Sequence, residues 1–301
     1  MVMRKRSSLA RREAIEGYIF LLPWILGFVF FTAGPIIASF GISMTDWQIG
    51  LPIRFIGLQN YVQMFTDDKL FWQSLKVTAY YSAMSLPLGI VAALGMALLL
   101  NQKVKGINLF RTIYYLPAVT SGVAVALLWA WILNNQFGLL NWLLGLVGIQ
   151  GPAWLLSPRW ALPAFAVMSV WGAGGLMLVY LASLQAIPAE LYDAAKIDGA
   201  NTLRQFRHVT LPMLSPTILF NLVTGVIAVF QTFTPAWIIT RGGPNYATYF
   251  YVLHLYNTAF SGSRMGYASA LAWVLFILVL ILTVVVLKSS QYWVFYAGER
   301  E

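Results

Sequence analysis

The chain contains no cysteine, which excludes disulfides, thiolate metal sites and cysteine nucleophiles. Charge is scarce too: Asp, Glu, Lys and Arg make up 10% of the residues, where a soluble domain averages about 25%. Apolar residues make up 59% of the 301. A soluble protein of that length could not hide so much apolar surface, so a multi-span membrane protein is the expected class. No G-x-x-x-x-G-K-[ST] occurs, so the usual P-loop route to ATP hydrolysis is closed, and neither H-E-x-x-H nor G-x-S-x-G offers a hydrolase centre. The two histidines, His208 and His254, are far apart in sequence, and both are expected in loops as ordinary polar residues, with no metal site.

Charge-free apolar runs locate six expected spans: Gly17–Thr45, Val77–Leu100, Thr112–Leu133, Trp160–Ala186, Pro212–Thr240 and Tyr267–Leu287. Each reaches the roughly 20 residues needed to cross the hydrocarbon core. None contains Asp or Glu, and Lys76 sits at an outer end where its stem can snorkel. A proton-coupled carrier normally needs a buried ionisable relay, so proton coupling is disfavoured. Lys and Arg set the orientation. With the N-terminus inside, thirteen of the 19 basic residues fall on cytoplasmic segments and six on outside ones. The net charge of +9 is thereby explained as topology rather than nucleic-acid binding. The first span is too long for the h-region of a cleaved signal. The expected organisation is a basic cytoplasmic segment (1–16), a six-span transmembrane domain (17–287) and a cytoplasmic tail (288–301).

Three outer segments are expected. Asp46–Lys76 carries F-I-G-L-Q-N-Y-V-Q-M-F, an amphipathic piece for the interface. Asn134–Pro158 contains Leu139–Val147, an apolar stretch too short to cross. Arg241–Arg264 opens on the turn signal R-G-G-P and continues into an aromatic short helix.

The most informative segment is polar. Pro188–Leu211 lies between two charge-free stretches and holds three of the ten acidic residues, Glu190, Asp193 and Asp198. Proline disfavours helix in the residue before it, so Ile187-Pro188 ends the fourth span. Ala189–Lys196 is composed of good helix formers, Gly199 can turn left-handed, and Asn201 or Thr202 can cap a second short helix through Val209. Leu211-Pro212 then starts the fifth span. A bare connector would need only about 2–8 residues. A structured helix–turn–helix instead presents Ala194, Ala195, Gly199 and Ala200, small enough for another surface to pack closely.

The pattern Asp193-Ala194-Ala195, Asp198-Gly199-Ala200, Phe206 and Val209-x-Leu211-Pro212 resembles the cytoplasmic coupling loop of ABC-importer permease subunits. It departs from that family at Asp193, where glutamate is usual. Further matches resemble carbohydrate-importing permeases of the maltose and glycerol-3-phosphate type: Gly57-Leu58-Gln59-Asn60-Tyr61, Arg111 to Leu116-Pro117, Phe230-Gln231-Thr232-Phe233 and Thr240-x-Gly242-Gly243-Pro244. The resemblance implies an all-α permease of the type I importer fold in a bacterial inner membrane, both termini cytoplasmic. It implies as partners a second permease subunit, two ATPase subunits and an extracytoplasmic solute-binding protein. The chain itself would be no enzyme and hold no cofactor, ATP and Mg being bound by the ATPase subunits. Docking to those subunits would fall to Asp193, Ala194, Ala195, Asp198, Gly199, Ala200, Leu211 and Pro212.

Polar residues are costly in hydrocarbon unless they face the bundle interior or a wet path. At about 100° per residue, Asn221, Thr224, Gln231 and Thr232 fall on one face of the fifth span, with Phe233 nearby to stack on a sugar. Trp171 and Gly175 shape the fourth span. These seven are the candidate substrate pathway, although small and amide residues also glue membrane helices together. The alternatives are a permease for another solute, or a secondary carrier or scaffold subunit.

Overall fold

The structure, a computed structural model, describes residues 8–102 and 104–296. Arg4, Lys5, Arg6, Lys103 and Arg300, part of the orientation argument and of the two terminal segments, lie outside the described residues. Among the described residues the regular structure is all helical, apart from one isolated antiparallel bridge, Thr45 with Phe55.

In chain order the helices are α1 (Ser8–Phe28), α2 (Gly34–Ser43), α3 (Gln59–Thr66), α4 (Lys69–Leu100), α5 (Ile107–Val119), α6 (Gly122–Ile132) and α7 (Leu139–Leu146). They continue as α8 (Pro158–Trp171), α9 (Gly174–Gln185), α10 (Ala189–Ile197), α11 (Thr202–Gln205), α12 (Leu211–Phe230), α13 (Tyr251–Tyr256) and α14 (Met265–Ser289). Four helical stretches are long and apolar enough to cross a membrane: Ile15–Ser43, Lys69–Leu100, Thr202–Phe230 and Met265–Tyr292. Two bent pairs raise the number to six if each pair is one span, α5 with α6 (100°) and α8 with α9 (48°). The expected third span, Thr112–Leu133, is therefore no straight rod. Thr120 and Ser121 adopt extended ψ angles of 142° and 130° and open the helix just after Pro117.

One compact unit comprises 8–64 and 258–273. Here α1 passes into α2 through a π turn, Val29–Ala33, ahead of Pro35. The wider turn accommodates a residue that has no N–H to give. Large apolar side chains along it, among them Phe20, Trp24, Phe30 and Phe31, are exposed, as a surface meant for lipid or a partner requires. The G-L-x-N-Y motif has a mechanical role. Gly57 turns at φ +60°, and buried Asn60 donates through Nδ2 to the carbonyls of Ser43 and Thr45, each at 2.8 Å. The Tyr61 hydroxyl meets Ser43 Oγ at 2.8 Å. The loop is pinned to the end of α2. Arg264 covers the Tyr267 ring at 4.5 Å and donates to Gln63 Oε1 at 2.7 Å.

The other unit, 65–257 and 274–296, is built around α4, which packs on α8, α9, α12 and α13. Asp68 starts α4 by accepting from the N–H groups of Leu70 and Phe71, both at 2.9 Å. Ala93 and Ala97 are fully buried and let α4 approach the Met177, Tyr180 and Leu184 face of α9 closely. A second core joins Tyr81, Phe165 and Phe250, with the Tyr81 and Phe250 rings edge-on at 5.0 Å. A Cβ on Gly174 would collide with the Tyr114 carbonyl, so glycine is what allows the start of α9 to lie against α5.

Candidate functional site

The polar segment folds into a corner. α10 carries Glu190 in its first turn and Lys196 in its last, matching the helix dipole. It ends in a Schellman closure: Gly199 N–H donates to Lys196 O at 3.0 Å and Ala200 N–H to Ala195 O at 2.8 Å, with Gly199 at φ +76°. Asn201 Oδ1 then caps the next helix by accepting from Arg204 N–H at 2.9 Å. Gln205 Nε2 braces the turn on Ala200 O at 2.9 Å, and the Tyr192 hydroxyl ties α10 to buried Thr210 at 3.0 Å.

The second helix of the corner is not the separate element expected from the sequence. α11 runs through a π turn, Phe206–Thr210, directly into α12, so Thr202–Phe230 is one stretch of 29 residues. The extra residue per turn absorbs Pro212, which has no N–H for an ordinary helical bond. Leu211 and Pro212 thus lie inside a helix rather than at its start.

Around the turn, Asp193, Ala194, Asp198 and Gly199 are exposed and Ala195 and Ala200 half-buried. Asp193 pairs with Lys196 of its own helix at 2.8 Å. Both side chains are well exposed, so the pair adds no more than about 1 kcal/mol. Sequence reasoning missed the apolar partners of this surface. Ile197 and Leu203 flank the turn at 87% and 73% exposure. Their signal was two large aliphatic residues on either side of D-G-A-N, at positions no core could reach.

Within the apolar part, the pathway candidates occupy several different surroundings. Asn221 is fully buried, and neither its Oδ1 nor its Nδ2 has a hydrogen-bond partner among the described residues. The Tyr180 hydroxyl lies beside it, outside bonding geometry. Thr224 Oγ1 donates to Phe220 O of its own helix at 2.9 Å. Gln231 is the C-cap of α12, so the 100° projection does not carry on to Gln231 and Thr232. Phe233 packs against Trp237 and Tyr256 at 6.0 and 4.9 Å. Trp171 meets Trp129 edge-on at 5.8 Å, and Gly175 comes close to Ala118. A cavity of about 180 Å³ also opens between Tyr81, Gly122, Ser169 and Thr234, residues outside the expected set. Tyr81 and Ser169 carried a signal, being hydroxyls inside apolar runs.

The histidine expectation also needs correction. His208 and His254 are helical rather than in loops. His254 is buried, its Nε2 3.0 Å from Asp68 Oδ2 and its Nδ1 3.3 Å from the Tyr249 hydroxyl, which accepts from Asn257 Nδ2 at 3.4 Å. Tyr251 N–H donates to Thr78 Oγ1 at 2.9 Å. Burial chiefly, with the Asp68 charge adding to it, pushes the Tyr249 and Tyr251 hydroxyls above the ordinary phenol value. Both stay protonated, and the α13 segment is bolted to the start of α4.

Long apolar helices interrupted by an exposed polar corner define the class as a multi-span membrane protein. The chain belongs to the family of binding-protein-dependent transport system inner membrane components, whose model matches residues 85–294. It is 44% identical over 301 residues to the probable ABC transporter permease protein YesP of Bacillus subtilis, covering 99% of this chain and 97% of that one. It is 35% identical over 288 residues to the trehalose/maltose transport system permease protein MalF of Thermococcus litoralis (95% and 97% covered). To the lactose transport system permease protein LacF of Rhizobium radiobacter it is 34% identical over 290 residues (94% and 96%). A chain of the bacterial alginate ABC transporter, solved in complex with an alginate pentasaccharide-bound periplasmic protein, superposes with a TM-score of 0.82 at 25% identity, covering 95% and 97%.

Proposed function

We propose that this chain is one of two permease subunits of an ATP-driven importer for a sugar or oligosaccharide. Each bent helix pair counts as one span, giving six spans with both termini cytoplasmic. Two ATPase subunits, which bind ATP and Mg, dock on the corner at Asp193, Ala194, Ala195, Asp198, Gly199 and Ala200. Leu211 and Pro212 lie in the helix that carries the motion inward. An extracytoplasmic binding protein delivers the solute to the other face of the bacterial inner membrane. The sugar assignment draws on the trehalose/maltose, lactose and alginate relatives.

The observation that carries the docking reading is the corner itself. Two large aliphatic side chains, Ile197 and Leu203, stand exposed beside a capped turn at the end of an unbroken 29-residue helix. Such a pair is costly in water and useful at an interface. For the pathway, the support is Asn221. A buried amide with no partner costs about 1–3 kcal/mol, which a passing hydroxyl-rich solute or the facing subunit would relieve. Trp171, Gly175, Thr224, Gln231, Thr232 and Phe233 are the other pathway candidates. Transport follows from differential affinity for inward- and outward-facing states. The test is ATP hydrolysis by the purified complex with its binding protein across a panel of sugars and amino acids. Stimulation by a saccharide supports the reading, and stimulation by amino acids alone refutes it.

A further inference from the structure

From Thr112 to Pro158 the sequence has no Asp, Glu, Lys, Arg or His. The end of α6, α7 and the loops beside it line an open depression of about 720 Å³, inside the roughly 300–1,000 Å³ typical of small-molecule sites. Three aromatic rings line it, Trp131, Phe137 and Trp142, each more than half exposed. The carboxamides of Asn135, Gln136 and Gln150 line it with them. Asn135 and Gln136 also wall a second cavity of about 580 Å³ that reaches Thr240 and Pro244. Two depressions therefore meet over one amide ridge.

The frame is firm. Asn141 accepts from Trp154 Nε1 at 2.7 Å and donates to Asn135 O at 3.2 Å. Asn134 Oδ1 accepts from the N–H groups of Gln136 and Phe137 at 2.9 and 3.2 Å. On the second cavity, Thr248 bonds Thr240 at 2.6 Å and donates to Gly243 O at 2.7 Å.

Tryptophans near a membrane surface usually form an outward belt at headgroup depth. A belt does not explain rings that share a concavity with amides, since amides are costly toward lipid. None of the residues lining the two depressions is charged, which disfavours an ionic ligand group there. Flat apolar faces beside carboxamide donors and acceptors suit a neutral, hydroxyl-rich ring: C–H faces stack on the aromatics and adjacent hydroxyls bond the amides. We propose that the paired depressions are an extracytoplasmic saccharide vestibule. One sugar unit stacks at Trp142 and Phe137, and the following units cross Gln136 into the second depression before entering the membrane. The ligand class is a neutral oligosaccharide of at least two units. This rests on the sugar reading and the outside orientation proposed above.

The test uses the complete transporter in liposomes with its binding protein. Labelled single-unit and three-unit malto-, xylo- and galacto-saccharides are offered, and whichever the unaltered complex imports are the probes. Trp142→Leu keeps the apolar character but removes the flat ring, and Trp142→Tyr keeps a ring. The vestibule requires Trp142→Leu and Gln136→Leu to lower three-unit uptake about five- to tenfold, more than they lower any single-unit uptake, while Trp142→Tyr stays near the unaltered level. Equal uptake by the leucine variants overturns the proposal. So does loss of binding-protein capture in both the leucine and tyrosine variants, which marks a protein-docking surface instead. If the unaltered complex imports no saccharide, the sugar reading fails and takes the vestibule with it. If a cysteine at Phe137 is labelled from the cytoplasmic side, the orientation fails.

Discussion

Replacing Gly199 separates backbone strain from steric fit. It sits at φ +76° in the Schellman closure of α10, and a Cβ there would meet nothing within 4 Å. Gly199→Ala therefore has no clash to relieve, only the left-handed penalty of about 1–2 kcal/mol. If that strain falls entirely on the docked corner, it corresponds to a loss of about 5–30-fold in the population holding the coupling geometry. Gly199→Asn, which tolerates the left-handed region, should lose less. Gly199→Pro should lose nearly everything. It removes the N–H bonded to Lys196 O and demands a negative φ near −65°. It also disfavours the ψ of 2° that Asp198 adopts at the C-cap, since a residue before proline is pushed toward extended ψ. The assay is sugar uptake and binding-protein-stimulated ATP hydrolysis in liposomes, with membrane insertion checked by immunoblot. Trypsin cleavage at exposed Lys196 and Arg204 reports whether the corner has opened. Uptake should fall in the order Asn, Ala, Pro with insertion constant. Full uptake by the proline variant at normal expression would show that the corner is only a connector.

Other expectations are as direct. Because the chain has no cysteine, a single cysteine at Gln205 should be labelled only from the cytoplasmic side; labelling from outside would sink the topology. Asn221→Ala should lower uptake while the complex still assembles, and dissociation instead would make the amide helix glue. Asp193→Lys should lose ATPase copurification, because like charges at a close interface cost several kcal/mol in order of magnitude; a reciprocal charge swap on the ATPase should restore it, and normal transport by the lysine variant would end the coupling role of the carboxylate. His254→Ala should destabilise the solubilised protein by about 1–3 kcal/mol, as expected for stripping a buried partner from Asp68. His254→Gln should retain part of that stability, and an unchanged melting temperature in the alanine variant would show that the contact contributes nothing.

Where pattern and physics coincide, the chain is readable from its residues. Gly199 and Asn201 were legible because a left-handed stop and an N-cap each demand few residue types. The short helix at Leu139–Leu146 was legible from length. Helix bending was not. Prolines occur in α1, α4, α5, α8 and α12, yet a sharp break follows Pro117 while α4 passes Pro87 without interruption. Proline removes the same bond everywhere, and neighbouring packing decides whether the helix opens. The interior cavity escaped for a related reason. Tyr81, Ser169 and Thr234 come from three separate segments, and no local spacing brings them together. The Asp68–His254 contact spans 186 positions, beyond any periodicity.

The run from Thr202 to Phe230 has a geometric consequence. At about 1.5 Å per residue its 29 residues form a rod of about 43 Å. A rod of that length turned through about 10° at one end sweeps its far end through about 7 Å, more than the width of a sugar ring. The corner and Asn221 ride on the same lever arm. In the proposed topology, small angular changes imposed at the corner become ångström-scale displacements deep in the bilayer, carried along one continuous helical stretch.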